Sequence, residues 1–256
     1  MPIYRAPVKD TLFVLNEVLG FERYSNLPGF SEASGDMLEA ILGEAGKLAE
    51  NVIQPTNRDG DLEGCTRNSD ATVTTPKSFK AAYDAYREGG WMALAIPTEF
   101  GGQGLPYSVN QAVGEYFISA NMSLMMYPGL THGAIAAILT HGSEEQKSTW
   151  LPRMVEGVWT GTMNLTEPHC GTDLGLLRTK AVPDGQGAYR ISGQKIFISA
   201  GEHDMSENIV HLVLARAEGS PDGIKGIWLF IVPKFILDAD GNPGKRNGVS
   251  CGSIEE

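Results

Sequence analysis

The feature that most constrains the fold is a change in hydrophobic periodicity near Gly157. Before this residue, apolar side chains recur every three or four positions, as they do on one face of an α-helix. After it, apolar residues form short runs rich in β-branched and aromatic side chains, separated by Gly, Pro, Asn and Asp. This order predicts an α+β fold, in which an all-α helical domain (residues 1–157) precedes a small antiparallel β domain (residues 158–256).

Five helices are predicted ahead of the switch. Pro55 is expected to end the first of them, because a proline inside a helix removes a backbone donor. Ser143 and Gln146 form a capping-box pattern at the start of the fifth. The predicted spans are 36–52, 76–89, 108–126, 130–141 and 144–157.

Six strands are predicted after the switch. No helical pattern lies between them, so an antiparallel sheet or small barrel is expected rather than a βαβ arrangement. The chain ends inside this β pattern, and we expect the β domain to be incomplete at its C-terminus. The predicted strands are 158–165, 179–182, 189–192, 196–199, 209–215 and 227–232.

Composition excludes several classes of protein. The net charge is −11 and Lys and Arg do not cluster, whereas a nucleic-acid-binding surface is normally basic. The sequence has no run of eighteen apolar residues and no apolar segment typical of a signal peptide at its start, so we expect a cytoplasmic protein without a membrane span. Cys65, Cys170 and Cys251 are few and far apart, which predicts neither a disulfide framework nor a metal site.

The histidines are interpreted as structural. His132, His141 and His211 lie in apolar surroundings, where an uncharged imidazole is more common than a ligand. His203 and Asp204 form a more suggestive pair, for which we expect a hydrogen bond that stabilises a turn.

Two segments carry the chemistry. The first runs from Leu165 to Asp173 and reads LTEPHCGTD, a loop with two threonine hydroxyls and a glycine that Pro168 keeps out of regular structure. The second runs from Gly193 to Ser199 and reads GQKIFIS, an apolar run with one aromatic ring and a terminal hydroxyl. A Thr-Glu-Pro tripeptide alone is only a turn signal, but the combination at this spacing is much more specific.

The two segments resemble the flavin-binding elements of the acyl-CoA dehydrogenase superfamily. The resemblance covers nearly the whole chain and includes the turn at 99–104 and the helix at 141–152. The segments 4–7, 57–61, 201–204 and 208–216 are typical of its 3-methylmercaptopropionyl-CoA dehydrogenase-like branch. The resemblance implies FAD as cofactor and α,β-dehydrogenation of an acyl-CoA thioester, either 3-methylmercaptopropionyl-CoA or a fatty acyl-CoA.

The resemblance also implies roles for residues of the first segment. Met163, Leu165 and Thr166 would line the isoalloxazine ring, with Thr166 bonding its pyrimidine edge. Gly171 would allow close backbone approach to the pyrophosphate of FAD. Thr172, where the superfamily usually has Ser, would contact both the pyrophosphate and the acyl-CoA substrate. Glu167 is expected to anchor the loop.

In the second segment, three residues would contact the flavin. Phe197 replaces the more common Trp against the ring, so stacking survives while the indole N–H does not. Ser199 replaces a Thr whose hydroxyl bonds flavin N5. Ile198 is included in the cofactor-binding set, although its side chain also suits a β core.

No catalytic residue is assigned. In the superfamily, a glutamate of a C-terminal helical domain removes the α-proton, and we expect that domain to be missing from this chain. The fragment alone is therefore expected to be inactive and to bind FAD weakly. An electron-transferring flavoprotein is the expected electron acceptor, and the full-length protein is expected to be a homodimer or homotetramer.

Three alternatives stay open. An acyl-CoA oxidase has the same fold and lets O₂ reach the reduced flavin. A nucleic-acid-binding, alkylation-response member of the superfamily would use a basic surface, which the charge of −11 disfavours. The chain could also be a natural non-catalytic subunit that pairs with a separate C-terminal chain.

Overall fold

The computed structural model describes residues 3–255. Its N-terminal part is helical. The α-helices are α1 (Val8–Phe13), α2 (Gly35–Leu48), α3 (Gln54–Glu63), α4 (Lys77–Glu88), α5 (Tyr107–Ala120), α6 (Met122–His141) and α7 (Glu144–Val155). The strands are β1 (Thr66–Arg67), β2 (Val73–Thr74), β3 (Trp159–Asn164), β4 (Lys180–Pro183), β5 (Tyr189–Ser192), β6 (Asn208–Ala217), β7 (Ile227–Pro233), β8 (Phe235–Leu237) and β9 (Pro243–Arg246).

The expectation that Pro55 ends the first predicted helix is wrong. Helix α2 runs through a π-helical turn at Ala49–Ile53 directly into α3, and Pro55 lies in the first turn of α3. The π-helical turn directly before Pro55 interrupts the regular hydrogen-bond ladder, so the missing N–H of the proline is accommodated without ending the helix.

The predicted boundary between the third and fourth helices is also wrong. The break falls at Asn121, whose backbone is extended and whose side-chain Oδ1 accepts a hydrogen bond from the N–H of Leu124 at 3.1 Å. This capping bond starts α6 at Met122, and α6 then continues through Pro128 to His141. At α7 the expected capping box is confirmed, with both bonds between Ser143 and Gln146 formed.

The C-terminal part is organised around β6. This strand pairs in parallel with β3 and β4 and antiparallel with β7, while β4 and β5 form an antiparallel hairpin. The expectation of an antiparallel sheet is therefore wrong for the pairings of β6 with β3 and with β4. The long connection from Leu165 to Glu207, which includes the β4–β5 hairpin, gives the chain room to return and run parallel to β3 without a crossover helix.

The strand predicted over 196–199 does not form. Phe197 and Ala200 have φ angles of 57° and 54°, in the left-handed region, so the segment is a turn. Its apolar residues mimic a strand in sequence, but no strand of the described chain pairs with them.

One hydrophobic core joins the helices to the sheet. Trp159 of β3 and Val210 and Leu212 of β6 pack with buried residues of the helices. Helix α7 ends at Val155 and β3 begins at Trp159, near the switch in periodicity, but the division into two domains at 157/158 stays a prediction.

Helix α6 lies at the centre of this core. Of the helices in the described chain, it has the length and apolar composition that would allow it to cross a membrane. It packs on β3 and buries Leu124, Ile135 and Ile138, as the central helix of a protein core does.

Candidate active site

The two motif segments, thirty residues apart in sequence, are fastened to each other. The Lys195 Nζ donates to the carbonyl of Leu165 at 3.0 Å and to the Glu167 carboxylate at 2.9 Å. The backbone N–H of Ile196 donates to the carbonyl of Thr166 at 2.9 Å. The structure therefore brings together, in one site, the loop after β3 and the turn that carries Phe197 and Ser199.

Glu167 is the centre of this junction. Its side chain is 2% exposed and accepts hydrogen bonds from the N–H groups of Arg178 and Thr179, from the Thr179 hydroxyl and from Lys195. Burial raises the pKa of Glu167, but these hydrogen bonds outweigh burial and bring the pKa to about 2. The carboxylate is thus held charged and fully engaged, which agrees with the expected anchoring role and leaves it unsuited to act as a base.

Gly193 allows the second segment to pass close to Thr179, whose hydroxyl donates to Glu167. A Cβ at this position would lie 2.3 Å from Thr179 Oγ1 and 2.8 Å from Thr179 Cα. Gly171 has a looser requirement, since a Cβ there would meet the Thr166 side chain at 3.2 Å. In the structure, the close neighbour of Gly171 is therefore Thr166.

The turn that follows Ile196 exposes two of its side chains, those of Phe197 and Ser199. Phe197 is 67% exposed and Ser199 is also exposed, although an aromatic ring is ordinarily buried. Thr162 of β3, which is buried, donates from its Oγ1 to the carbonyl of Ser199 at 2.6 Å. This hydrogen bond connects the turn to the sheet.

A large cleft borders the turn. It has a volume of about 1540 Å³, above the range of roughly 300–1,000 Å³ common for small-molecule sites. Phe197, Ile198 and Ser199 line it. The other predicted site residues are not among its described lining residues; these are Met163, Leu165, Thr166, Gly171 and Thr172.

Those five residues lie on the adjoining loop and on β3. Met163 is half-buried and packs against the main core. Thr172 is exposed, and Leu165, Thr166 and Gly171 are partly exposed. Among the described residues, the backbone N–H groups of Thr166, Gly171 and Thr172 have no hydrogen-bond partner within the chain. They remain available as donors to a ligand.

Two polar residues that line the cleft lie outside the predicted site: Asn164, which sequence reasoning did not single out, and His211, which it interpreted as structural. Both are buried, and the Asn164 Oδ1 and both ring nitrogens of His211 lack a partner within the described chain. Burial, followed by the charges of Lys234 and Arg246, lowers the pKa of His211 to about 4, so its ring is neutral at pH 7. For His211, the signal available in the sequence was a polar residue inside an otherwise apolar strand. Asn164 gave no such signal, because it ends a strand that already contains two threonines.

The cleft offers no free buried carboxylate among its described residues. Glu202 is contacted by Lys234 and by Arg246, the latter at 2.8 Å. Asp184 accepts two backbone hydrogen bonds within its own turn, and Glu255 is exposed.

Glu167, His169 and Cys170 place potential metal-ligand atoms within 4.8 Å of one another. The Glu167 carboxylate is already bound by Lys195, Thr179 and the Arg178 N–H, and the His169 Nε2 lies 2.9 Å from the carbonyl of Leu176. The proximity of the three side chains is explained by the loop's own hydrogen bonds.

Comparison with known proteins identifies the family. Residues 36–158 match the acyl-CoA dehydrogenase N-terminal domain. The chain is 44% identical over 252 residues to 3-methylmercaptopropionyl-CoA dehydrogenase of Ruegeria pomeroyi. The aligned region covers 98% of this chain and 43% of that relative. The chain belongs to the acyl-CoA dehydrogenase family. The family resemblance inferred from the two segments is thereby confirmed.

Two further comparisons agree with this assignment. The broad-specificity linear acyl-CoA dehydrogenase FadE5 of Mycobacterium tuberculosis is 40% identical, over 100% of this chain and 42% of its own length. A solved structure of the electron transferring flavoprotein of Acidaminococcus fermentans superposes with a TM-score of 0.62 at 27% identity, over 76% of this chain and 47% of that one. The predicted fold class is confirmed, and the chain spans less than half the length of the curated relatives it matches.

Proposed function

We propose that this chain forms the flavin-binding part of an FAD-dependent acyl-CoA dehydrogenase. The observation that carries the proposal is the junction at Glu167, where Lys195 binds the two motif segments into one site. Membership of the family and the similarity to enzymes named as acyl-CoA dehydrogenases support it.

The residues present suit FAD. The unpartnered N–H groups of Thr166, Gly171 and Thr172 provide donors for the pyrimidine edge and the pyrophosphate, as backbone N–H groups do in many anion sites. Phe197 offers an exposed ring face, and Ser199 offers an exposed hydroxyl on the same turn. Met163, Leu165 and Ile198 complete the proposed apolar contacts of the ring.

Bound FAD supplies the acceptor for the hydride in this chemistry, and the chain's own residues orient the reactants. We assign Thr172 to the substrate as well as to the cofactor. The substrate is an acyl-CoA thioester, and the named relatives make 3-methylmercaptopropionyl-CoA and linear fatty acyl-CoA the candidates. An electron-transferring flavoprotein is the proposed electron acceptor, and a homodimer or homotetramer in the cytoplasm is the proposed assembly.

The proton-abstracting base lies outside the described residues in this proposal. Glu167 and Glu202 are engaged by cations, and Asp184 is used in a turn. The 256-residue chain alone is therefore expected to hold FAD without dehydrogenating acyl-CoA.

Anaerobic mixing with acyl-CoA tests both parts of this proposal. The flavin-loaded enzyme isolated from its own cells should lose its flavin absorbance when mixed with 3-methylmercaptopropionyl-CoA or a linear acyl-CoA, while the FAD-loaded 256-residue chain should not. Bleaching of the chain alone would contradict the placement of the base. No bleaching of the native enzyme by any acyl-CoA would contradict the proposed reaction.

A further inference from the structure

We propose that Thr162 is a positioning residue for the flavin site: its buried hydroxyl holds the Phe197–Ala200 turn in the shape that presents Phe197 and Ser199 to the ring. This inference rests on the proposed function. It assigns a role to a residue that neither motif segment contains.

The turn cannot hold its shape by local preference alone. Phe197 and Ala200 both adopt left-handed backbone angles, which side chains with a Cβ rarely do. Such conformations persist when surrounding contacts fix them, and they concentrate at functional sites. Within the turn, one backbone hydrogen bond is formed, from the N–H of Gly201 to the carbonyl of Ile198 at 3.2 Å.

Two contacts from the rest of the molecule fix the two ends of the turn. At its start, the N–H of Ile196 donates to the carbonyl of Thr166 at 2.9 Å. At its end, the Thr162 hydroxyl donates to the carbonyl of Ser199 at 2.6 Å. Thr162 is 1% exposed and lies inside β3, which pairs with β6 along its length, so the donor comes from a rigid element.

The Thr162 bond acts directly on the residue whose hydroxyl is assigned to the flavin. Fixing the Ser199 carbonyl fixes the peptide plane that follows Ser199, and with it the direction of the exposed Ser199 side chain. Without the bond, the Ser199 carbonyl loses this partner and the turn can relax toward ordinary backbone angles. Phe197 and Ser199 would then no longer be presented together.

Thr160 provides a matched control two residues earlier on the same strand. Its hydroxyl is also buried and lies 2.9 Å from both His203 Nε2 and Ser206 Oγ. Its hydroxyl therefore connects β3 to the segment that follows the turn, and the hydrogen bonds of this hydroxyl go to that segment rather than to residues 197–200. Loss of the Thr160 hydroxyl should disturb the fold about as much as loss of the Thr162 hydroxyl, but should leave the turn in place.

The test is an equilibrium titration of the chain with FAD, combined with visible circular dichroism of the bound flavin. Thr162→Val, which keeps the shape and removes the hydroxyl, should weaken FAD binding about tenfold, as the loss of one well-placed hydrogen bond does, and change the flavin signal. Thr162→Ser should restore binding to within about threefold of the wild type, and Thr160→Val should stay within the same margin.

Either of two results would overturn the inference without overturning the proposed function. In the first, Thr162→Val binds FAD as the wild type does, with the same flavin spectrum. In the second, Thr160→Val loses as much affinity for FAD as Thr162→Val does. If Thr162→Val does not fold, Thr162→Cys replaces it with the same expectation, because a thiol is a weak donor. Failure of the wild-type chain to bind FAD would instead overturn the proposed function first, so the two failures are distinguishable.

Discussion

At the scale of single residues, Glu167 shows how the site is stabilised electrostatically. A buried carboxylate is costly unless it is paired and hydrogen-bonded. Here four hydrogen bonds satisfy it, one of them donated by the Lys195 ammonium. The positions of both motif segments therefore depend strongly on this one side chain.

Replacement of Glu167 should therefore destabilise the chain. Glu167→Gln leaves the Lys195 charge buried without its partner, and the free energy of unfolding should fall by about 3 kcal/mol in urea at pH 7. Adding Lys195→Met to Glu167→Gln should recover part of this loss, because the unpaired charge is removed. Equal stability of Glu167→Gln and the wild type would contradict the role given to this pair.

The same residue predicts a pH dependence. Its pKa is about 2 when folded against an ordinary 4.5, so the unfolded chain binds the proton more readily. The stabilisation is complete above pH 4.5 and is lost as the pH falls toward 2, by about 3 kcal/mol in total. Glu167→Gln should lack this portion of the acid dependence, measured as the urea midpoint between pH 5 and pH 2.5. Parallel curves for the two proteins would contradict the prediction.

Buried histidines add a second acid dependence at higher pH. Burial, with the charge of Lys234, lowers the pKa of His203 to about 3 and that of His211 to about 4, and burial lowers the pKa of His132 to about 4. The folded chain keeps these rings neutral, so unfolding takes up protons once the pH falls below about 6.5, the ordinary value of histidine. Their stabilisation is present above pH 6.5 and declines below it.

Replacement of His211 isolates one of these protons. His211→Phe should reduce the slope of unfolding free energy between pH 6 and pH 4.5 by about 1.4 kcal/mol per pH unit, because one site no longer takes up a proton on unfolding. Urea titrations of both proteins across this range measure the slope, and pH 8 serves as the reference where the ring is neutral in both states. An unchanged slope would show that His211 is not held neutral in the fold.

Single residues also show where sequence reasoning stops. The half-buried His132 and the buried His211, both held neutral, fit the structural role inferred for them. The turn hydrogen bond expected at His203 and Asp204 forms at His203, whose Nδ1 accepts from the N–H of Met205 two residues later, whereas Asp204 accepts from the distant Thr75. Composition around a histidine indicates its burial, whereas its partner depends on the fold.

At the scale of elements, the contact of α6 with β3 sets the spacing between the helices and the sheet. Gly161 of β3 faces α6, and its N–H donates to the Thr131 hydroxyl at 3.0 Å. A Cβ at Gly161 would lie 2.6 Å from the Cβ of Ala134 and 2.8 Å from the Cε of Met154. The glycine permits the close approach that buries α6.

Gly161→Ala should destabilise the chain by about 1–3 kcal/mol, because the added methyl forces helix and strand apart. Gly133→Ala is the matched control: it lies on α6, where a Cβ would meet nothing within 4 Å. The control should be neutral or stabilising by up to about 1 kcal/mol, since alanine is the better helix former. Thermal and urea unfolding of both variants measure the difference, and a neutral Gly161→Ala would contradict the close packing.

Elements also show why the sequence predicted the helices better than their boundaries or the sheet. Periodicity identified α4 and α7, and the Ser143 capping pattern located the start of α7. Asn121 is a favourable capping residue and could have marked the start of α6, but the apolar pattern continues on both sides of it. The turn at 196–199 could not be predicted, because its left-handed angles are imposed by contacts with Thr162 and Thr166, residues distant in sequence.

At the scale of the whole molecule, the order of helices and strands and the family were predictable from sequence. Both depend on hydrophobic periodicity and local motifs, which can be recognised without knowing any tertiary contact. The parallel pairing of β3 with β6 was not, since strand direction depends on how a long connection returns. The same holds for the cleft residues Asn164 and His211, which only the folded sheet brings to one site.

The central claim is that this chain binds FAD through the site that Lys195 assembles. The most direct test is an equilibrium titration of the purified chain with FAD, followed by flavin fluorescence. We predict saturable binding in the micromolar range, weakened about tenfold by Phe197→Ala and unchanged by Phe13→Ala, a similarly exposed phenyl group on α1. An absence of saturable binding, or equal affinities for the two variants, would contradict the account.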